Sequence, residues 1–272
     1  MRVAIQGIKG SFHHIVAEQY FGKNIDLIEC LSFTEMPELL KQDKAEVLIM
    51  AIENSIAGAI LPNYALIDDY KLAISGEHYL PIHHNLMVFN GQNIADIKEV
   101  YSHPMALLQC HKFFKEYPHI KLIEDKDTAS VAKRIHDNKL LGVGAIASTL
   151  AAEIYDLTII APEIQTIKDN ATRFFIVSKD DNKRTLSANK ASIKFVTSDK
   201  SGSLAEVLTI LADHNLNLSK IQSMPVIETP WKYAFFADFI FNSYANYYDA
   251  LNKVKEKVEM LQIIGEYTKS KR

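Results

Sequence analysis

Asn170-Ala171-Thr172-Arg173-Phe174-Phe175-Ile176-Val177 sets a hydroxyl and a guanidinium side by side where a loop enters a wholly apolar run. Strand ends at a loop are where α/β proteins place reacting groups. The Thr172 hydroxyl can donate a proton or a hydrogen bond, and Arg173 can hold a carboxylate in a two-pronged fork. A strand cap beside a surface ion pair explains this stretch as well, if it is taken alone. A second polar cluster, Glu53-Asn54-Ser55, follows the apolar run Val47–Ile52 in the same way.

The remaining chemistry is narrowed by exclusion. Cys30 and Cys110 are the only cysteines, which fits neither a disulfide framework nor a zinc site and suggests a reducing compartment. No local signature marks Cys110 as a nucleophile, and burial is expected for it. The histidine pairs His13-His14 and His83-His84 lack ligand spacing with a carboxylate, so no metal is expected. The formal net charge of −3 leaves no electrostatic footprint for nucleic acid. No basic run is longer than the tail from Lys269 to Arg272. Met1-Arg2-Val3-Ala4-Ile5 turns polar at Gln6, too soon for a signal peptide, and no 18-residue apolar stretch occurs. A cytoplasmic chain that begins at Met1 and does not touch the membrane is expected.

These groups must be positioned by elements that the patterning shows. The chain has 272 residues, 48% of them hydrophobic, enough for two domains with packed cores. Up to residue 180, short apolar runs alternate with amphipathic stretches. Strands are expected at Val3–Ile5, Asp26–Cys30, Val47–Ile52, Val100-Tyr101 and Lys121–Glu124. Helices are expected at Phe12–Phe21, from a Thr34 cap through Leu40, at Ala106–Phe114 and at Ala129–Ile135. Further alternation covers Leu140–Ile146 and Leu157–Ala161. Strands alternating with helices predict parallel α/β sheets. Residues 181–189 read as a polar linker. Residues 190–272 then follow a βαββαβ order, the ferredoxin-like arrangement. Leu204, Val207, Leu208, Leu211 and Ala212 form one helical stripe, and Tyr247, Ala250, Leu251, Val254, Val258 and Leu261 line a second helix. Ile263-Ile264 is expected to begin a short last strand.

Taken in order along the chain, short motifs carry a family resemblance. Gly10-Ser11-Phe12, Glu53-Asn54-Ser55, Tyr101-Ser102-His103-Pro104, Gln109-Cys110, Asp127-Thr128-Ala129 and Asn170-Ala171-Thr172-Arg173-Phe174 resemble those of prephenate dehydratases. Gly202-Ser203-Leu204-Ala205 through Gln222-Ser223-Met224-Pro225 is similar to the phenylalanine-sensing ACT domain of those enzymes. The resemblance implies two catalytic lobes, like those of periplasmic binding proteins, with the chain crossing near Ser75–His78 and returning near Pro162–Thr166. It implies decarboxylative dehydration of prephenate to phenylpyruvate in phenylalanine biosynthesis, with no metal or cofactor. Arogenate dehydratase and a non-catalytic two-lobed amino-acid sensor stay open as alternatives. No room is expected for a chorismate mutase domain before residue 1 or after Arg272.

The resemblance also assigns roles. Thr172 is the expected donor to the leaving hydroxyl, where charge develops. Ser11, Phe12, Glu53, Asn54, Ser55, Ser102, Gln109, Thr128, Ala129, Arg173 and Phe174 are the expected substrate-binding set. A helix N-terminus behind Ser102 would favour a carboxylate, and Gln109, about two turns on, can share that face. Capping alone also explains Thr128 and Ser55. Glu53 near a dianion would be repelled unless protonated or paired, so its expected work is orienting Asn54 or Arg173. Arg173 binds a substrate carboxylate or pairs with an acidic residue; both readings stand. His84 is expected to support the cleft. Met105 replaces the glutamine usual in the family. The expected effector residues are Gly202, Ser203, Leu204, Ala205, Gln222, Ser223, Met224 and Pro225, binding L-phenylalanine where two copies pair in a homodimer or homotetramer. Gln222 and Met224 stand where the family usually has Glu and Arg, which removes a carboxylate partner for the effector's ammonium.

Overall fold

A computed structural model describes residues 1–179, 187–226 and 229–271. The expected linker at 181–189 lies largely outside the described residues. The first part of the chain runs β1 (Arg2–Gln6), α1 (Phe12–Phe21), β2 (Asp26–Cys30), α2 (Met36–Lys41), β3 (Val47–Asn54), β4 (Gly58–Ala59), α3 (Leu61–Asp69) and β5 (Ala73–Pro81). It continues with β6 (Asn85–Val88), β7 (Glu99–Ser102), α4 (Pro104–Phe114), β8 (Lys121–Glu124), α5 (Thr128–Asn138), β9 (Val143–Ala147), α6 (Thr149–Ile154), β10 (Thr158–Ala161) and β11 (Ala171–Ser178).

These strands form two sheets. The first has the order β2-β1-β3-β11-β5, with the short β4 paired to β3. The second has the order β10-β6-β9-β7-β8. Strands joined by helices are parallel, as in β1 with β2 and β3, and in β7 with β8 and β9. The expected parallel pairing holds for these strands, but the sheets are mixed, because β6 runs antiparallel to both β9 and β10. β6 follows β5 directly from the other sheet, without the crossover helix that makes successive strands parallel. The expected crossing at 75–78 falls inside β5. The chain changes sheet between Pro81 and Asn85 instead, and changes back between Ala161 and Ala171.

Period-two alternation buries the second sheet on both faces. Leu86, Val88, Val100 and Ile146 pack with Leu107, Cys110 and Phe114 on one face. Met87, Ala145 and Ala147 pack with Val131, Ala132, Ile135 and Ala151 on the other. α3, β5, β6 and α6 were not expected, since none shows a clean apolar period. Thr34 does not cap a helix. It lies within a 3-10 turn, Phe33–Glu35, with its hydroxyl 2.8 Å from Ser32 Oγ, and α2 follows.

The last part runs β12 (Lys190–Val196), α7 (Ser203–Asp213), β13 (Asn217–Pro225), β14 (Tyr233–Ile240), α8 (Tyr244–Lys255) and β15 (Met260–Tyr267). Its antiparallel sheet has the order β13-β14-β12-β15, the ferredoxin-like plan. Two boundaries differ from expectation. α8 stops at Lys255, so Val258 and Leu261 leave the helix, and the last strand is eight residues long and begins at Met260. Both residues still pack on the core of this sheet, which is why they matched the helical stripe.

The chain divides into two compact units, Met1–Asn63 with His78–Phe174, and Tyr64–Glu77 with Phe175–Arg272. The second unit therefore takes in most of α3 and of β5, a segment well before residue 180, besides the chain from Phe175 on. Within it Tyr64 packs on Phe236, Phe175 on Tyr267, and Glu77 receives both Lys190 Nζ (3.0 and 2.7 Å) and Ser270 N (3.1 Å).

Candidate active site

A cavity of about 400 Å³ lies in the first unit, and the ends of β3 and β11 deliver its polar wall. Asn54 is the last residue of β3. Its side-chain oxygen accepts from the backbone N–H groups of Ile56 (3.0 Å) and Ala57 (2.9 Å). Its Nδ2 donates to Thr172 Oγ1 at 3.0 Å and to Asn170 Oδ1 at 2.8 Å. Thr172 lines the cavity and is 8% exposed. Asn170 Nδ2 donates to Gln109 Oε1 at 2.9 Å, and His84 Nε2 lies 3.0 Å from that same oxygen.

Three helices start at this cavity. Ser11 caps α1 by accepting from His14 N, and Ser11, Phe12 and His13 all line the wall. Gly10 lets that helix start here, because a Cβ on it would come within 2.9 Å of Ala151 Cα. α4 brings His103, Met105, Ala106 and Gln109, and α5 brings Asp127 and Thr128. Helix N-termini favour anions through their free N–H groups and dipoles. Among the described residues Asp127 is the one carboxylate in the wall, and it is engaged as the α5 cap, accepting from Ser130 N at 2.7 Å.

The apolar part of the wall holds two histidines neutral. Burial lowers the His13 pKa to about 3 and the His84 pKa to about 4. His13 stands edge-on to Phe33 (5.4 Å) and Phe174 (5.0 Å). Cys110 is buried in the core of the second sheet, where desolvation pushes its thiol up to about 12, unsuited to nucleophilic work. No group of three or more His, Cys, Asp or Glu side chains able to hold a metal occurs among the described residues.

The structure brings Ser11, Phe12, Asn54, Gln109, Thr128, Thr172 and Phe174 to the cavity and leaves the other expected residues out of its wall. Ser102 is fully buried at the end of β7, and its hydroxyl donates to Ile146 O at 2.7 Å. The cap of α4 is the next residue, His103, whose Nδ1 accepts from Met105 N. Ala129 is buried one residue inside α5, turned away by the helical period. Thr128 is helical and Asp127 does the capping. Ser55 is spent on the loop, accepting from Ala171 N and donating to Asp169 O. Arg173 is 2% exposed, 3.5 Å from Glu53 and over the Tyr79 ring. Asn170 and His13 were missed as site residues. Asn170 had a usable signal, since it stands two residues before Thr172 and shares its side of the chain.

A second cavity, of about 460 Å³, surrounds the start of α7 in the second unit. Gly202, Ser203, Leu204 and Ala205 line it with Leu208, Trp231, Tyr233 and Phe235. Gln222, Ser223, Met224 and Pro225 do not. They lie on β13, the edge strand, which β14 separates from β12. One chain therefore does not assemble the whole expected effector set.

Two α/β sheets with a hydroxyl–amide cluster in a helix-ringed cavity, followed by a βαββαβ module, define a small-molecule enzyme with an appended ACT domain. Residues 3–182 match the model of the prephenate dehydratase family and residues 191–242 that of the ACT domain, so the chain belongs to the prephenate dehydratase family and is a carbon–oxygen lyase by membership. It is 32% identical to a bifunctional chorismate mutase/prephenate dehydratase of Aquifex aeolicus, over 99% of this chain and 74% of that protein. It is 33% identical to arogenate dehydratase 2 of Petunia hybrida, over 98% and 71%. Among solved structures, it is similar to GqqA, described as a novel type of quorum-quenching acylase, at 25% identity and TM-score 0.90, covering 99% and 98% of the two chains. It is also similar to prephenate dehydratase from Arthrobacter aurescens in complex with L-Phe, at 24% identity and TM-score 0.87, covering 99% and 90%. The expectations of family and fold class are met. No helix among the described residues is long and apolar enough to cross a membrane.

Proposed function

We propose that this chain converts prephenate to phenylpyruvate, with Thr172 donating to the leaving hydroxyl. One observation carries the reading. Thr172 Oγ1 accepts from Asn54 at the wall of a cavity ringed by three helix N-termini, which leaves its O–H to donate inward. Loss of the ring carboxylate as carbon dioxide sends its bonding electrons into the ring and expels the C4 hydroxyl. That oxygen takes a proton through Thr172 and leaves as water, and solvent resupplies the proton. Thr172 need not ionise, because its hydrogen bond strengthens as charge builds on the departing oxygen. Helix N-termini and Lys126 hold the substrate's carboxylates, and Phe12 and Phe174 pack on the ring that becomes aromatic.

Turnover of prephenate, L-arogenate and an N-acyl homoserine lactone side by side tests this. Prephenate is expected to give phenylpyruvate fastest, with no change on adding a chelator. Faster loss of water and carbon dioxide from arogenate would move the chain to the activity named for the Petunia relative. Acyl release without phenylpyruvate would favour the activity named for GqqA.

Residues 1–180 are the catalytic domain, 181–189 the linker and 190–272 the ACT domain in this reading. The ACT module binds L-phenylalanine, as named in the Arthrobacter complex, at the cavity by Gly202 and Leu204. The edge strand β13 of a second copy brings Gln222–Pro225, in a homodimer or homotetramer in the cytoplasm.

A further inference from the structure

The amide chain from Asn54 to His84 has only one self-consistent polarity. Backbone N–H groups can only donate, so the Asn54 atom facing Ile56 and Ala57 must be its oxygen. Its amino group then faces Asn170, so the Asn170 atom there must be oxygen. Asn170 consequently turns its own amino group on Gln109, whose facing atom must be oxygen. His84 Nε2 meets that same oxygen and must carry a hydrogen. His84 Nδ1 is then the bare nitrogen, and it is a buried atom without a hydrogen-bond partner in the structure. Each assignment follows from the one before, and the first is set by the main chain.

We infer that Asn170, 1% exposed, is a positioning residue that fixes which way the Gln109 carboxamide points, so that Gln109 Nε2 and the Thr172 O–H are both held as donors to the substrate. Gln109 Nε2 makes no bond within the described residues while Gln109 lines the cavity. A dianionic substrate that loses a hydroxyl needs donors at both places. A flipped Gln109 would offer its oxygen to a carboxylate and repel it. This inference rests on the proposed reaction for its purpose but not for its geometry.

Asn170→Asp separates the two. The introduced carboxylate still accepts from Asn54 but cannot donate to Gln109. Gln109 must turn its amino group to that carboxylate, which also aims the group at His84 Nε2. His84 then exchanges its hydrogen from Nε2 to Nδ1. Nitrogen-15 NMR of selectively labelled histidine is expected to show His84 as the Nε2–H tautomer in the wild-type protein and as Nδ1–H in Asn170→Asp. Steady-state kinetics is expected to show kcat/KM falling about 10- to 100-fold, the range for one buried hydrogen bond mismade, mainly through KM. Thr172→Ala is expected to leave the His84 tautomer unchanged while lowering kcat. A wild-type His84 carrying its hydrogen on Nδ1 overturns the inference whether or not Asn170→Asp folds. An unchanged tautomer in a folded Asn170→Asp protein also overturns it. If the tautomers behave as stated but no variant or wild-type protein consumes prephenate, the reaction assigned to the site is wrong and the amide chain stands.

Discussion

At the scale of single residues, the structure separates groups that touch the cavity from groups that hold it. Thr172→Ala is expected to lower kcat by roughly 10²–10⁴-fold with a smaller change in KM, because the contact strengthens only toward the transition state. Thr172→Ser should retain more. A folded alanine variant within threefold of wild type would remove Thr172 from the donor's role. Ser102 gives the opposite expectation. Its hydroxyl is closed off by Ile146 O, so Ser102→Ala should leave KM nearly unchanged and cost about 1–2 kcal/mol of stability by denaturant titration. A large rise in KM with unchanged stability would return it to the substrate. The sequence showed Thr172 and Asn54 because each stands where an apolar strand meets a loop, Thr172 at the start of β11 and Asn54 at the end of β3. It did not show which way Ser102 and Arg173 point. One residue of strand phase decides whether a side chain meets the cavity or the core.

At the scale of elements, the α1 N-terminus carries a pH dependence. His13 stays neutral in the fold down to about pH 3, whereas an exposed histidine takes up its proton near 6.5. Between those values the unfolded chain binds more protons. The stability that goes with the neutral ring is complete above about pH 6.5 and falls away below it, by about 1.4 kcal/mol per pH unit for this histidine. His13→Phe replaces an unpartnered Nε2 among aromatic neighbours. The variant should therefore melt at a similar temperature at pH 7.5 and at a higher one than wild type at pH 4.5. Parallel melting curves across that range would show that His13 is not the buried neutral ring described. The sheets illustrate what pattern reading reaches. Alternation marked most strands and helices, but α3 and β5 were invisible, since LPNYALIDD and AISGEHYLP alternate on no single period. Gly265 is forced by Ile74 of β5, whose carbonyl oxygen would lie 2.1 Å from an added Cβ. Gly265→Ala should lower the melting temperature by several degrees, and no shift would argue against that close approach.

At the scale of the molecule, the compact units do not follow the motif boundaries, and this changes what truncation does. Ending the chain at Lys179 removes Phe236 from Tyr64 and Tyr267 from Phe175. It also takes Lys190 from the buried Glu77 and Lys194 from Asp68. Losing one partner of a buried ion pair costs about 3–5 kcal/mol. The shortened chain should therefore be insoluble or melt well below the full chain, and one that melts within about 5 °C of it would show that residues 64–77 do not depend on the ACT sheet. Feedback must accordingly be tested in the intact protein. L-Phenylalanine is expected to bind by calorimetry and to slow prephenate turnover. Its carboxylate is expected at the α7 N-terminus, which has no side-chain cap of its own, and its ring against Leu204, Leu208 and Trp231, which line the cavity there. Gln222 supplies a neutral amide where a carboxylate would hold the ammonium, so binding should be weak, and Gln222→Glu should tighten it about 5- to 50-fold through a charge-assisted bond. If Gln222→Glu leaves the affinity unchanged while Leu204→Asp abolishes binding, the effector uses the α7 cavity of one chain and does not reach the edge strand of a second.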